Sequence, residues 1–230
     1  GYLHSNSLRW SYGAMKGREA DYWQKSVSCK PTEEMIETLS LAGFSGIYVD
    51  SYGYTDSGQE LIFNLSKTLM TDPLKSENGR LYFFNMTLYN NQLKSRLTVE
   101  EEFGKKIVST SFFGEGFYSP EHDQDRYWRW SLNKSSLYLT NPYDHDINIH
   151  LETSFFTGYD KPSNIKVESE YFLDNFSADQ NGYFYSKDFV LPPGIHPIHI
   201  TCDAPRVYAP KDSRSMIFRV ENFKIGKYLL

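Results

Sequence analysis

A chain of 230 residues with 40% hydrophobic and 23% charged residues has the material for a packed core, which excludes wholesale disorder. Its formal net charge of −5 supplies no basic field for a phosphate backbone, so nucleic acid is not an expected partner. No run of about 20 apolar residues occurs, so neither a bilayer span nor a signal peptide is expected, and the start at Gly1 reads as an excised soluble fragment.

Residues 8–18 come first. Arg9, Trp10, Tyr12, Lys16 and Arg18 are interleaved with Gly13 and Gly17 at neither helical nor strand spacing, which predicts a shaped loop. The forked guanidinium groups of Arg9 and Arg18 suit carboxylate or phosphate. Thr32 ahead of Glu33 and Glu34, followed by Met35, Ile36, Leu39 and Ala42 and stopped by Gly43, predicts a helix. Residues 44–50 read as a buried strand. Ser57-Gly58-Gln59-Glu60 reads as a capping box ahead of Leu61, Ile62, Leu65 and Leu69, a second helix. Asp72-Pro73 closes it, Asn78-Gly79 signals a tight turn, and residues 81–86 supply another strand. Asp50, at a strand end ahead of Tyr52 and Tyr54, occupies the position where open α/β sheets place ligand-binding groups. It is the acid candidate of this half, and the alternative is a carboxylate that caps its loop or pairs with Arg9 or Arg18.

From about Lys105 helical spacing gives way to short aromatic or β-branched runs separated by Asn141-Pro142, Asn181-Gly182 and Pro192-Pro193-Gly194. The expected class is therefore α+β: a small α/β unit over residues 1–104, then a jelly-roll-like antiparallel β-sandwich over 105–230, built like a carbohydrate-binding module. Aromatic residues reach 17%, which suits strand cores and also surfaces that stack on sugar rings. Near the start of the sandwich stand Glu121, Trp128, Arg129 and Trp130. If Arg129 faces one way, Trp128 and Trp130 face the other, giving a ring-bearing face and a cationic face. The expectation is that a sugar stacks on an indole there while Glu121 or Arg129 bonds its hydroxyls. The competing expectation is a Trp pair that plugs the seam between the halves, with Arg129 bridging buried carboxylates.

Other chemistry is weak. Cys29 and Cys202 form no metal-type cluster, and whether they bridge is open. Tyr12 and Lys16 have the spacing of a reductase acid/base pair without a glycine-rich nucleotide fingerprint, and Ser163-Asn164-Ile165-Lys166 lacks companion motifs. The His122–Asp125 and Tyr143–Asp146 loops read as solvated acidic turns, so neither a cofactor nor a metal is expected.

The 8–18 segment, Ala42-Gly43-Phe44 leading to Ile47-Tyr48-Val49-Asp50, Asn78-Gly79-Arg80-Leu81, Trp128-Arg129-Trp130-Ser131 and Asp203-Ala204-Pro205 with Asp212 and Arg214 together resemble a known pattern. It is the C-terminal extracytoplasmic domain of bacterial polytopic membrane proteins of glycosyltransferase type, concerned with surface-polysaccharide and envelope assembly. The resemblance implies a periplasmic domain on the bacterial inner membrane. Its partners would be a glycan or lipid-linked saccharide and the transmembrane portion of the same polypeptide. The leading expectation is a non-catalytic module that binds or orients a glycan acceptor or braces the membrane part. Two alternatives follow. One is an envelope-modifying transferase or hydrolase, for example of phosphoglycerol-transferase type, with Asp50 and Glu121 as acid and base and Arg9 or Arg18 as anion clamp. The other is a purely structural packing domain.

Overall fold

The computed structural model describes Ser11, residues 14–124 and residues 126–230. Two helices open the chain, α1 (Glu19–Ser28) and α2 (Thr32–Leu41), followed by strand β1 (Gly46–Asp50) and a turn of 3-10 helix over Ser51–Gly53. Then come α3 (Gln59–Leu69), β2 (Leu74–Lys75), β3 (Leu81–Asn85), α4 (Thr87–Arg96) and α5 (Val99–Thr110). The three strands form an antiparallel sheet in the order β1-β3-β2. Strand alternation sends Val49 and Phe84 inward, where they pack with Ile36, Leu65, Leu69 and Met86 in a small core. Tyr48, Asp50, Leu81 and Phe83 consequently share the opposite face.

Local details differ from the sequence expectations. Pro31 occupies the N-cap of α2, with Thr32 already helical. The capping box at Ser57 does not form. Gly58 takes the N-cap of α3 at φ 71°, and the Asp56 carboxylate accepts from Gly58 N and Glu60 N instead, at 2.9 and 3.0 Å. An Asp two residues earlier does the work because the chain turns through a left-handed residue that a Ser side chain cannot span. Helices α1, α4 and α5 were not expected, and α5 carries helix to Thr110, past the point where helical spacing fades.

The second half is a two-layer antiparallel sandwich. Its strands are β4 (Phe112–Phe113), β5 (Glu121–His122), β6 (Tyr127–Ser131), β7 (Lys134–Asn141), β8 (Ile147–Thr157), β9 (Ser163–Glu168) and β10 (Leu173–Ala178). They continue with β11 (Tyr183–Leu191), β12 (Gly194–Cys202), β13 (Val207–Ala209), β14 (Asp212–Met216), β15 (Phe218–Ile225) and β16 (Tyr228–Leu229). One layer runs β10-β9-β12-β7-β4 and the other β11-β8-β15-β6-β5, with β16 added to β15 and a separate β13-β14 hairpin. Inward residues alternate along the long strands, as in β8, where Ile147, Ile149, Leu151 and Phe155 enter the core. Leu137, Leu139, Ile165, Ile200 and Phe218 fill the space between the layers. Gly116, at φ 82°, passes so close to β7 that a Cβ would lie 2.1 Å from the Lys134 carbonyl, which only glycine permits.

Helix α5 straddles positions 104 and 105 and joins the two halves. Its Ile107 is part of the sandwich core, while Lys105 pairs with Glu37 of α2 at 2.6 Å. Trp23 of α1 donates its Nε1–H to Ser109 O of α5 at 2.9 Å. Cys29 is exposed and Cys202 buried, and both are free thiols. Among the described residues no helix is long and apolar enough to cross a membrane.

Candidate functional site

The outward face of the small sheet carries the first constellation. The Asn78-Gly79 turn, with Gly79 at φ 71° and Asn78 Oδ1 accepting from Arg80 N at 3.2 Å, swings Arg80 back over the end of β1. There the guanidinium grips Asp50 with both arms: Nε donates to Oδ1 at 2.8 Å and Nη2 to Oδ2. Tyr52 N also donates to Asp50 Oδ1, at 3.1 Å. The Arg80 guanidinium lies over the Tyr52 ring, 4.6 Å from its centroid. Tyr52 is 76% exposed and Tyr48 45%, so two aromatic rings border a half-exposed acid–base pair at the surface, while the 46% exposed Tyr54 ring lies beside Gly58 at the start of α3. The hydrogen bonds from Arg80 hold the Asp50 carboxyl below its usual range, despite some opposing desolvation. Asp50 is therefore an ionised acceptor at neutral pH and is unsuited to donate a proton. The sheet is antiparallel throughout, so its position owes nothing to a crevice at parallel strand ends; the turn that delivers Arg80 places it.

Among the other residues singled out in the first half, Arg9, Trp10 and Tyr12 lie outside the described residues. Lys16 and Arg18 are exposed just before α1, where Arg18 is the N-cap, and Gly17 N donates to Asp21 Oδ2 at 2.8 Å. Asp50 pairs with neither of them.

The second constellation sits on β6. Alternation puts Trp128 and Trp130 on the outer surface of the six-stranded layer, opposite Glu221 and Arg219 of β15, whereas Arg129 lies opposite the core residue Val220 and faces inward. The outer surface is not a bare platform. The Arg219 guanidinium is 5.9, 5.4 and 5.0 Å from the ring centroids of Trp128, Trp130 and Phe156, and Arg126 lies 5.8 Å from Trp128. Arg219 Nη2 stands 2.6 Å from Glu221 Oε1, off the line of a hydrogen bond, and Arg219 Nε is buried without a hydrogen-bond partner among the described residues. A sugar stacking face to face on these indoles has to displace a guanidinium.

Glu121, beside Trp128 in the register, is held by Arg214 Nη1, and the same guanidinium forks onto Asp212 at 2.7–3.1 Å. Glu121 and Asp50 thus belong to different sheets, each engaged by its own arginine, and no hydrogen bond joins them.

Arg129 is the anomaly. Its Nη1 donates to Tyr118 O at 3.2 Å and its guanidinium lies 4.6 Å from the centroid of Phe113, but among the described residues it has no carboxylate partner. The expected bridge between buried carboxylates is not formed. Burial pushes its pKa down to about 10, which still leaves it charged at neutral pH. Removing an ion from water costs several kcal/mol, roughly, while one neutral acceptor returns about 1.5–3 kcal/mol and a ring face about 0.5–2 kcal/mol.

Elsewhere, His196 Nδ1 is 2.7 Å from Tyr171 Oη and His199 Nδ1 is 3.0 Å from Ser136 Oγ, so both imidazoles serve packing networks. Among the described residues no group of three His, Cys, Asp or Glu side chains is placed to hold a metal ion. Arg80, Tyr48, Tyr52 and Arg219 complete these sites without having been singled out from sequence as ligand-binding residues. The signal for Arg80 was its place directly after Asn78-Gly79; for Arg219 it was the alternation of β15.

No protein-family profile matches the chain, and no curated protein does. Among solved structures it is similar to a family 6 carbohydrate-binding module from a Cellvibrio mixtus lichenase in complex with cellotriose. Identity there is 12%, coverage 50% of this chain and 88% of that one, and the TM-score 0.30. The C-terminal family 6 module of a Zobellia galactanivorans laminarinase gives 13%, 49% and 90%, with TM-score 0.31, and a family 29 carbohydrate-binding module mutant gives 12%, 50% and 76%, with TM-score 0.29. Overlaps this loose carry no argument about the chain, and the sandwich architecture rests on its own strand pairing.

Proposed function

We propose that this chain is a non-catalytic glycan-binding domain whose contact surface is the open face of the three-stranded sheet. The observation that carries the reading is the exposed Tyr48 and Tyr52 bordering the Asp50–Arg80 pair. Pyranose rings present apolar C–H faces to aromatic rings and hydroxyls to groups that accept and donate; a carboxylate and a guanidinium fixed side by side supply both. Phe83, opposite Tyr48 in the register, extends the same surface. A non-catalytic role is supported by the engagement of Asp50 and Glu121 in separate ion pairs, since glycoside chemistry needs two carboxyl groups flanking one bond.

The sequence resemblance supports a setting: the extracytoplasmic, periplasmic part of a membrane-embedded glycosyltransferase-type protein, orienting a glycan or lipid-linked saccharide for the transmembrane portion of the same polypeptide. Calorimetric titration with envelope oligosaccharides is expected to show saturable binding that Tyr52→Ala weakens about tenfold, equivalent to ~1.4 kcal/mol. Trp130→Phe is expected to leave it unchanged. No binding to any envelope glycan, or full affinity in both Tyr52→Ala and Arg80→Ala, sinks the reading. The setting is tested separately: a protease admitted to the periplasm of cells with sealed inner membranes should digest the domain, and complete protection would refute that placement.

A further inference from the structure

Beside the middle of β6 the Arg129 side chain lines a pocket of about 50 Å³ whose other walls are Phe113, Pro120, Val220, Phe223, Leu229 and Leu230 together with the β6 neighbours Tyr127 and Trp128. On a scale where about 10–15 Å³ of such space admits one water, this is room for a few heavy atoms. We propose that this cavity binds a small monocarboxylate with a short apolar stem.

Three features fix the ligand class. Arginine presents five N–H donors in a planar fork, and of these the Nη1 group is committed to Tyr118 O, at 3.2 Å, with no other protein acceptor among the described residues. The guanidinium carbon stands 4.6 Å from the Phe113 ring centroid, and Nε and Nη2, a pair that matches a carboxylate bidentately, donate to no protein acceptor among the described residues. The remaining walls are aliphatic or aromatic and suit a hydrocarbon stem. A phosphate dianion would press unbonded oxygens against Phe223, Leu229 and Leu230, so the apolar lining selects against it. A charge half-buried beside one carbonyl and one ring is under-compensated; a bound carboxylate supplies the missing counter-charge.

The inference does not rest on the glycan reading, because the cavity and the small-sheet surface share no residue. Propionate, inorganic phosphate and glucuronate, each titrated into the full chain at matched ionic strength, separate the possibilities. Propionate is expected to raise Tm logarithmically with its concentration and to shift amide resonances of Phe113, Val220 and Phe223 saturably, with an affinity at least about tenfold higher than in Arg129→Met. A hydrocarbon side chain of similar length is expected to fold at that position, and if it does not, the wild-type resonance map decides. Shifts confined to the cavity residues support the site. No saturable response to propionate, an equal response in Arg129→Met, or a stronger response to phosphate or glucuronate overturns it. Loss of glycan binding in Tyr52→Ala with propionate binding intact would separate the two sites.

Discussion

Arg80 and Arg129 carry the same guanidinium into opposite surroundings. Arg80 stands at the surface with a matched carboxylate and an exposed ring, and Arg129 is turned toward a core with one carbonyl for company. Asp50 was legible from sequence as a carboxylate at a strand end, but its partner lies thirty residues on and was fixed by a turn rather than by spacing. The inward face of Arg129 was legible as alternation; its lack of a carboxylate was not, because alternation says which side a residue faces and nothing about what waits there. His150 offers a test of charge at this scale. Its Nδ1 lies 2.6 Å from Asp188 Oδ1 and its Nε2 3.1 Å from Glu152 Oε1, and hydrogen bonds to Glu152 and then Asp188 raise its pKa against slight desolvation. A raised imidazole pKa stabilises the fold below the unfolded value near 6.5, and that contribution is lost as pH rises through the folded value. The Tm difference between the native chain and His150→Gln is therefore expected to be larger at pH 6 than at pH 9. A pH-independent difference would contradict this.

Among the elements, α5 shows most clearly how a signal is overlooked. Thr98-Val99-Glu100-Glu101 is a capping box in sequence and in space: Glu101 N donates to Thr98 Oγ1 at 3.2 Å and Thr98 N to Glu101 Oε2 at 3.0 Å. Phe103 and Ile107 then follow at i, i+4. Gly104 interrupts the apolar rhythm, and it is there because a Cβ would meet the Tyr228 ring at 2.2 Å. Packing against β16 thus overrode helix propensity and hid the helix. Helix α1 offered Ala20, Trp23 and Val27 at helical spacing, whereas α4 buries no residue and offered no stripe to read. Because α5 links Glu37 of α2 to the sandwich core, its cap matters beyond its own first turn. Thr98→Ala is expected to cost about 1 kcal/mol in chemical denaturation, and a change within error would show that tertiary packing alone holds the helix.

For the molecule as a whole, the α+β class and the sandwich were readable because the apolar period switches from helical to alternating along the chain. Strand β10 escaped, its Leu173 and Phe176 being too sparse to signal a strand until β9 pairs with them. The candidate surface was half readable: rings and a carboxylate were visible, but register decides which of them share a face, and only pairing of Tyr48 with Phe83 and Asp50 with Leu81 reveals that. It also decides that Trp128 and Trp130 lie half-buried against Arg219, while Tyr48 and Tyr52, the latter with Arg80 over its ring, keep 45% and 76% of their surface exposed. The central claim is that a glycan docks on that open face. Backbone-amide mapping during titration with an envelope oligosaccharide tests it most directly. The account predicts shifts concentrated at Tyr48, Asp50, Tyr52 and Arg80 with the sandwich surface quiet; shifts centred on Trp128, Trp130 and Arg219, or none anywhere, would contradict it.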